Sequence, residues 1–221
     1  MSGANDSECL REPPERIDPY LESLRNKDIR FILGISTINV GKVDTIELDR
    51  EGKIVRLDKL GGSERRSYDA CGFLVKRCKF SDFVASYTAK YIIANDTLIR
   101  TWGEFADGDC DAVKGDALEL STTIFILDEK GQIMEEIDQG TGRKHSYRYE
   151  NGCLIQRADG DSGDFYDYDQ DRKLIKYTRK FHGKIIEECN FQDGKIESSS
   201  IYNFPDGSLI QQNKYRFLYY H

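Results

Sequence analysis

The sequence predicts a mainly β fold: an antiparallel meander of β-hairpin repeats making an extended, twisted sheet, with a short helix near the N-terminus. Three observations carry this. A turn motif built on Asp or Asn and Gly recurs, each copy followed two residues past the glycine slot by Leu or Ile. Segments between the turns, such as Thr122–Leu127 and Lys173–Thr178, are rich in β-branched and aromatic residues. Isoleucine outnumbers leucine 21 to 16, which favours strands over helices.

Residues 1–28 read as an arm and a short helix. Asp18 caps and Pro19 opens a helix over about 19–26, because Asp accepts free N–H groups and Pro suits the first turn. Residues 29–221 read as the hairpin-repeat domain. One turn subtype is Asp49-Arg-Glu-Gly52-Lys-Ile54, Asp69-Ala-Cys-Gly72-Phe-Leu74 and Asp128-Glu-Lys-Gly131-Gln-Ile133. There Asp opens a type I turn with its carboxylate on local N–H groups, and Gly takes the left-handed bulge position. Asp169-Gln-Asp-Arg172-Lys-Leu174 is a fourth copy with Arg in the glycine slot. A side chain is disfavoured at positive φ, so this turn is expected to be of another type.

A second subtype carries an aromatic first: Tyr149-Glu-Asn-Gly152-Cys-Leu154, Phe191-Gln-Asp-Gly194-Lys-Ile196 and Phe204-Pro-Asp-Gly207-Ser-Leu209. Asn151-Gly152, Asp193-Gly194 and Asp206-Gly207 suit two-residue type I′ turns. A degenerate copy ends at Leu98. Turns at the opposite end are expected at Gly61-Gly62, Asp159–Gly163 and His182-Gly183, and the last strands at Ile185–Phe191, Lys195–Phe204 and Ser208–Phe217. The wide gap between anchors Leu98 and Ile133 marks an acidic insertion near 103–118, and Ser81–Thr88 reads equally as a helical turn or a strand.

The 221 residues carry 32 basic and 39 acidic side chains, a net charge of −7. That is a poor balance for general nucleic-acid binding, which needs clustered Lys and Arg. Apolar runs such as Phe31–Ile35 are far short of a membrane span. The N-terminus has no basic start followed by an apolar stretch, so a cytoplasmic location is expected. The six cysteines form no C-x-x-C pair and read as free thiols; neither a metal nor a cofactor is expected.

Two groups of residues are candidates for partner binding. Glu104, Asp107, Asp109, Asp111 and Asp116 crowd the insertion. Asp107-Gly-Asp109-Cys-Asp111 opens like an EF-hand loop, but Ala112 and Leu118 stand where that loop needs Gly and Glu, so calcium is not expected. Tyr147, Tyr149, Tyr166 and Tyr168 alternate with polar residues, so each pair shares one sheet face, either as a packing ladder or as an exposed platform. Gly160-Asp-Ser162-Gly163 reads as a glycine-rich turn rather than a nucleophile, since Ser needs an oriented His–Asp pair. Glu135-Glu136 and Glu187-Glu188 read as charged strand faces. No catalytic constellation emerges, and an enzyme is not expected.

The stretch Phe165-Tyr-Asp-Tyr-Asp-Gln-Asp-Arg-Lys-Leu174 resembles the YD repeat of the Rhs family, with similar stretches at Ser67–Leu74 and Tyr147–Leu154. The second turn subtype is also similar to MORN-variant repeats. The resemblance spans roughly 46–217 and implies a small sheet-forming relative, since Rhs proteins build large shells around a toxic C-terminal domain. By analogy it implies an immunity-type protein that binds and neutralises a cognate toxin domain through an acidic, aromatic sheet surface. The alternative is a free-standing repeat module binding carbohydrate or a cell-envelope component.

Overall fold

The computed structural model describes residues 28–38, 43–59, 62–70, 72–80, 84–94, 96–105 and 118–219. They form sixteen strands: β1 (Ile29–Ser36), β2 (Val43–Leu48), β3 (Ile54–Lys59), β4 (Gly62–Tyr68), β5 (Leu74–Phe80), β6 (Val84–Ala94), β7 (Thr97–Phe105), β8 (Leu118–Leu127), β9 (Ile133–Asp138), β10 (Lys144–Glu150), β11 (Cys153–Asp159), β12 (Ser162–Tyr168), β13 (Leu174–Phe181), β14 (Lys184–Gln192), β15 (Lys195–Tyr202) and β16 (Leu209–Tyr219). Each described pairing is antiparallel, as hairpin repeats require. The ambiguous stretch around 81–88 resolves as strand from Val84 onward.

The chain divides into two compact units. One is the meander β4–β9, each strand paired with the next from Ser63↔Phe80 to Thr123↔Asp138, with bulges at Ser67/Tyr68, Trp102/Gly103 and Ile126/Leu127. The other joins β1–β3 to β10–β16 through a ladder between the first and last strands, from Ile29↔Tyr219 to Ser36↔Asn213. The hydrogen-bonded strand order returns to its start, β1-β16-β15 and onward to β3-β2, which defines a closed barrel. The expected open, extended sheet is therefore corrected. A meander has the same local pattern whether open or closed; what closes it is the β1–β16 pairing, and no local sequence signal reports that. Among the described residues there is no helix; the helix expected at 19–26 lies outside them.

The repeat anchors build the core. Ile54, Leu74, Leu98, Ile133, Leu154, Leu174 and Ile196 are all buried, and the eighth anchor, Leu209, is exposed. Turn chemistry explains the burial. In the first subtype the glycine slot donates its N–H to the Asp carbonyl, as Gly52 to Asp49, Gly72 to Asp69 and Gly131 to Asp128. The Asp carboxylate accepts two further backbone N–H groups: Asp49 from Glu51 and Lys53, Asp128 from Lys130 and Gln132. The glycines take φ of 78–86°, and a bulge at the end of the preceding strand sets the next side chain inward.

Arg172 overturns its expectation. Its φ is 62°, its N–H reaches the Asp169 carbonyl, and Asp169 holds the N–H groups of Asp171 and Lys173. The turn is the same; the Asp169 bonds impose it on a residue that resists it. A side chain in the left-handed region costs about 1–2 kcal/mol, partly offset by the greater chain entropy of glycine. Arg172→Gly is thus expected to stabilise the fold by roughly 0.5–1 kcal/mol, read as a rise of about 1–4 °C in Tm.

Asn151-Gly152 and Asp193-Gly194 adopt the expected type I′ pattern, with φ of 52°, 80°, 51° and 72°. Asp206-Gly207 does not. There a wider loop forms, with Asn203 N–H on the Ser208 carbonyl and Gly207 N–H on the Asn203 carbonyl. The Asp138–Arg143 turn closes in the same way, with Gly142 N–H on Asp138. In both, glycine follows the Asx residue by four positions rather than three. Leu209, which follows this longer loop, is exposed. Of the cysteines expected as thiols, Cys153 and Cys189 lie outside any disulfide, as expected, whereas Cys78 is disulfide-bonded and corrects the expectation.

Candidate functional site

The sequence-predicted residues fall in different settings. Glu104 lies in β7, its backbone opposite Tyr87 and Leu118. Asp107, Asp109, Asp111 and Asp116 lie outside the described residues. Tyr166 is in the core, its ring 5.6 Å from that of Tyr177. Tyr168 is half-buried and its hydroxyl donates to the carbonyl of the anchor Leu154 at 2.9 Å. Tyr91 makes the equivalent bond to the anchor Leu74 at 2.9 Å. Tyr147 and Tyr149 are half-buried on β10, with Tyr147 opposite Arg157. These tyrosines share a face with the core, so much of their ring surface is taken up by packing and by bonds to the repeat backbone.

That face also carries a charged row. The register sets Arg157 opposite Asp164, Asp164 opposite Arg179 and Arg179 opposite Glu187, across β11–β14. Asp164 is buried and its carboxylate is saturated by donors. Tyr177 Oη and Arg179 Nε each lie 2.8 Å from Oδ1, and Arg157 Nη1 lies 3.2 Å from Oδ2. Arg179 Nη1 also reaches Glu187 at 3.3 Å. Burial alone would raise the pKa of Asp164; the charge and hydrogen bond of Arg179, the hydrogen bond from Tyr177 and the charge of Arg157 reverse this, and the net shift is downward. Burial, reinforced by the Asp164 charge, pushes Tyr177 well above the usual tyrosine range. A carboxylate held this firmly ionised by three donors is a structural tie, not a poised general base.

Glycine shapes the row. A Cβ on Gly163, whose φ is 151°, would collide with the Arg157 carbonyl and lie 2.6 Å from Ala158 Cα. A second polar cluster continues the face. Gln211 and Asn213 amides each donate to Asp44 Oδ2 at 2.9 Å, and Ser199 and Tyr215 hydroxyls share a 2.9 Å bond. Burial raises the Tyr215 pKa to about 12, with Ser199 pulling the other way. Ser162, within the Gly-Asp-Ser-Gly turn, accepts the His182 backbone N–H at 2.8 Å and so braces the neighbouring hairpin. Among the described residues no cluster of three or more His, Cys, Asp or Glu is placed to hold a metal. No helix among them is long and apolar enough to cross a membrane.

The sequence reading missed a third feature. At the end of the β1–β3/β10–β16 unit remote from the Asp-x-x-Gly turns, apolar side chains face solvent. Phe181 and Phe204 are each 40% exposed, and Ile185, Leu209 and Ile210 are similarly open. The two Phe rings meet edge to face at 5.0 Å, and the His182 ring lies 4.3 Å from Phe181. Lys184 locks the arrangement by donating to the Pro205 carbonyl at 2.8 Å. Strand pairing brings these together: Phe181 opposes Lys184, and Lys180 opposes Ile185. The available signal was apolar residues inside turn segments, Phe181-His-Gly and Phe204-Pro-Asp-Gly, where polar residues are the rule.

No family model matches the chain, and no curated protein matches it. Among solved structures the chain is similar to the Tc holotoxin pore of Photorhabdus luminescens, at 12% sequence identity and a TM-score of 0.24. The likeness covers 78% of this chain and spans 12% of that chain. The chain itself is an antiparallel β-hairpin repeat protein.

Proposed function

We propose that the chain is a non-enzymatic binding protein of the immunity type, which neutralises a cognate toxin domain by occluding it in the cytoplasm. The observation that carries this reading is the exposed Phe181–His182–Phe204 cluster with Ile185 and Leu209 around it. Rings held in place by a hairpin framework lose little entropy on binding, and clustered apolar side chains with a polar surround are the usual anchors of protein interfaces. The net charge of −7 favours a partner with a basic surface and speeds its approach. The carboxylates of Glu104, Asp107, Asp109, Asp111 and Asp116 supply steering rather than anchoring.

The test is co-expression with a toxin encoded beside it, together with titration of the purified pair. Growth rescue and a 1:1 complex are expected. Phe181→Asp with Phe204→Asp should weaken the complex at least about 30-fold, the loss expected from hot-spot residues. The melting temperature should hardly move, because both rings are already exposed. Neutralising the five carboxylates should slow association and flatten its salt dependence while dissociation stays unchanged. Absence of both rescue and complex rejects the immunity reading; a complex untouched by the double Phe variant rejects this surface.

A further inference from the structure

β1 is apolar on both of its faces. Ile32, Gly34 and Ser36 are buried on the core side, and the alternate residues Phe31, Leu33 and Ile35 form a half-buried stripe on the other. The stripe continues onto the neighbouring strands. Leu218, opposite Phe31, is 49% exposed, and Val43, opposite Ile35, is 48% exposed. A strand with one face in water alternates apolar with polar; a strand apolar on both faces is covered on both.

The other cross-strand neighbours of the stripe are Lys214 and Arg216 on β16 and Thr45 and Glu47 on β2. Arg30 lies 4.9 Å over the Phe31 ring and adds a third cation. Glu47 is the one carboxylate among these neighbours. On β3, Arg56 opposes Glu47 and Asp58 opposes Thr45, and these two cancel by pairing with each other at 2.9 Å. The face is therefore apolar along its middle and net positive around it.

The chain itself supplies a segment of the matching kind. Residues 1–27 carry six acidic and four basic side chains, and they end where β1 begins. In the helix expected over 19–26, Tyr20, Leu21 and Leu24 fall on one side, since positions three and four apart are neighbours. Eight helical residues span about 12 Å. Phe31 to Ile35 spans about 13 Å of strand. Two residues, Lys27 and Asp28, separate the expected helix from β1, and so short a connection lays a helix back along the strand it feeds. A helix of this length is unstable alone and forms only where its apolar side is covered.

We infer that residues 19–27 fold back antiparallel to β1 and cover this face, setting Tyr20, Leu21 and Leu24 against Phe31, Leu33 and Ile35. The segment is then a lining of the domain rather than a tether. The face shares no residue with the Phe181–Phe204 surface, so either assignment can fail without the other.

Hydrogen exchange of the full chain, read peptide by peptide, tests this. Wild-type amides of 20–26 should exchange at least about tenfold more slowly than in an unstructured chain. Leu24→Asp should abolish that protection. Leu218→Asp alters only the strand side, at an exposed position, and should speed exchange over 20–26 at least about fivefold while the β1–β16 ladder keeps its protection. Val43→Asp, on the opposite flank, should do the same, so the outcome does not rest on one substitution. Light scattering should show a monomer throughout. Unprotected 20–26 in the wild type overturns the assignment. Protection that survives both Leu218→Asp and Val43→Asp overturns it too, by placing the segment elsewhere. A wild-type dimer that these substitutions dissociate would make a second copy the occupant and likewise overturn it.

Discussion

Asp164→Ala is expected to destabilise the protein by about 3 kcal/mol, a fall of roughly 6–12 °C in melting temperature. The substitution removes the acceptor for Tyr177, Arg179 and Arg157 together. Tyr177 is buried, so its hydroxyl loses this acceptor where water does not readily replace it; the guanidiniums are partly exposed and regain water, which keeps the loss at the lower end of the range for broken buried pairs. Glu187→Ala should cost less than about 1 kcal/mol, because it removes one ion pair from a half-exposed guanidinium. The same carboxylate gives a pH signature. Its folded-state pKa lies below the unfolded value of about 3.9, so its contribution is complete above that value and disappears as pH falls through the folded one. Urea midpoints measured from pH 6 to pH 2 should therefore fall more steeply for the wild type than for Asp164→Ala. Parallel curves would show that Asp164 is not ionised in the folded row.

The second large effect separates two residues that occupy the same place in the repeat. Ile196→Ala should cost about 3 kcal/mol, since Ile196 is 1% exposed and its removal leaves a cavity among packed neighbours. Leu209→Ala should change stability by less than about 0.5 kcal/mol, since Leu209 is 44% exposed. Denaturant midpoints for the pair decide this directly. Equal losses would mean that the last repeat is as well packed as the others, against the exposure of Leu209.

What could be read from sequence follows from the range of the interactions involved. The Asp49, Asp69 and Asp128 turns were legible because one carboxylate, two N–H groups and a glycine settle the geometry within five residues. Asn151 and Asp193 were legible for the same reason. The Arg172 turn was not legible, because the residue's own preference points away from positive φ and the Asp169 carboxylate outweighs it. The Asp206-Gly207 turn was not legible, because Asn203, four residues before the glycine, closes the loop in place of Asp206. Closure of the sheet depends on Ile29 meeting Tyr219, and a period-two pattern carries no information about so distant a partner. The shared face of Tyr166 and Tyr168 was visible in the alternation, but its burial was not, since alternation assigns faces and not which of them packs. The Phe181–Phe204 contact spans two strand connections, and only the β13–β14–β15 register places it.

The ladder between β1 and β16 has a consequence for the newborn chain. β1 can pair with β2 soon after both leave the ribosome, but its other edge stays unpaired until 209–219 have been made. At about 5–20 residues per second, the roughly 170 intervening residues keep that edge open for some 10–30 s. Through this interval the backbone of Ile29–Ser36 is an open template for any passing strand, so β1 is where a holding chaperone would be needed and where a stalled chain would begin to aggregate.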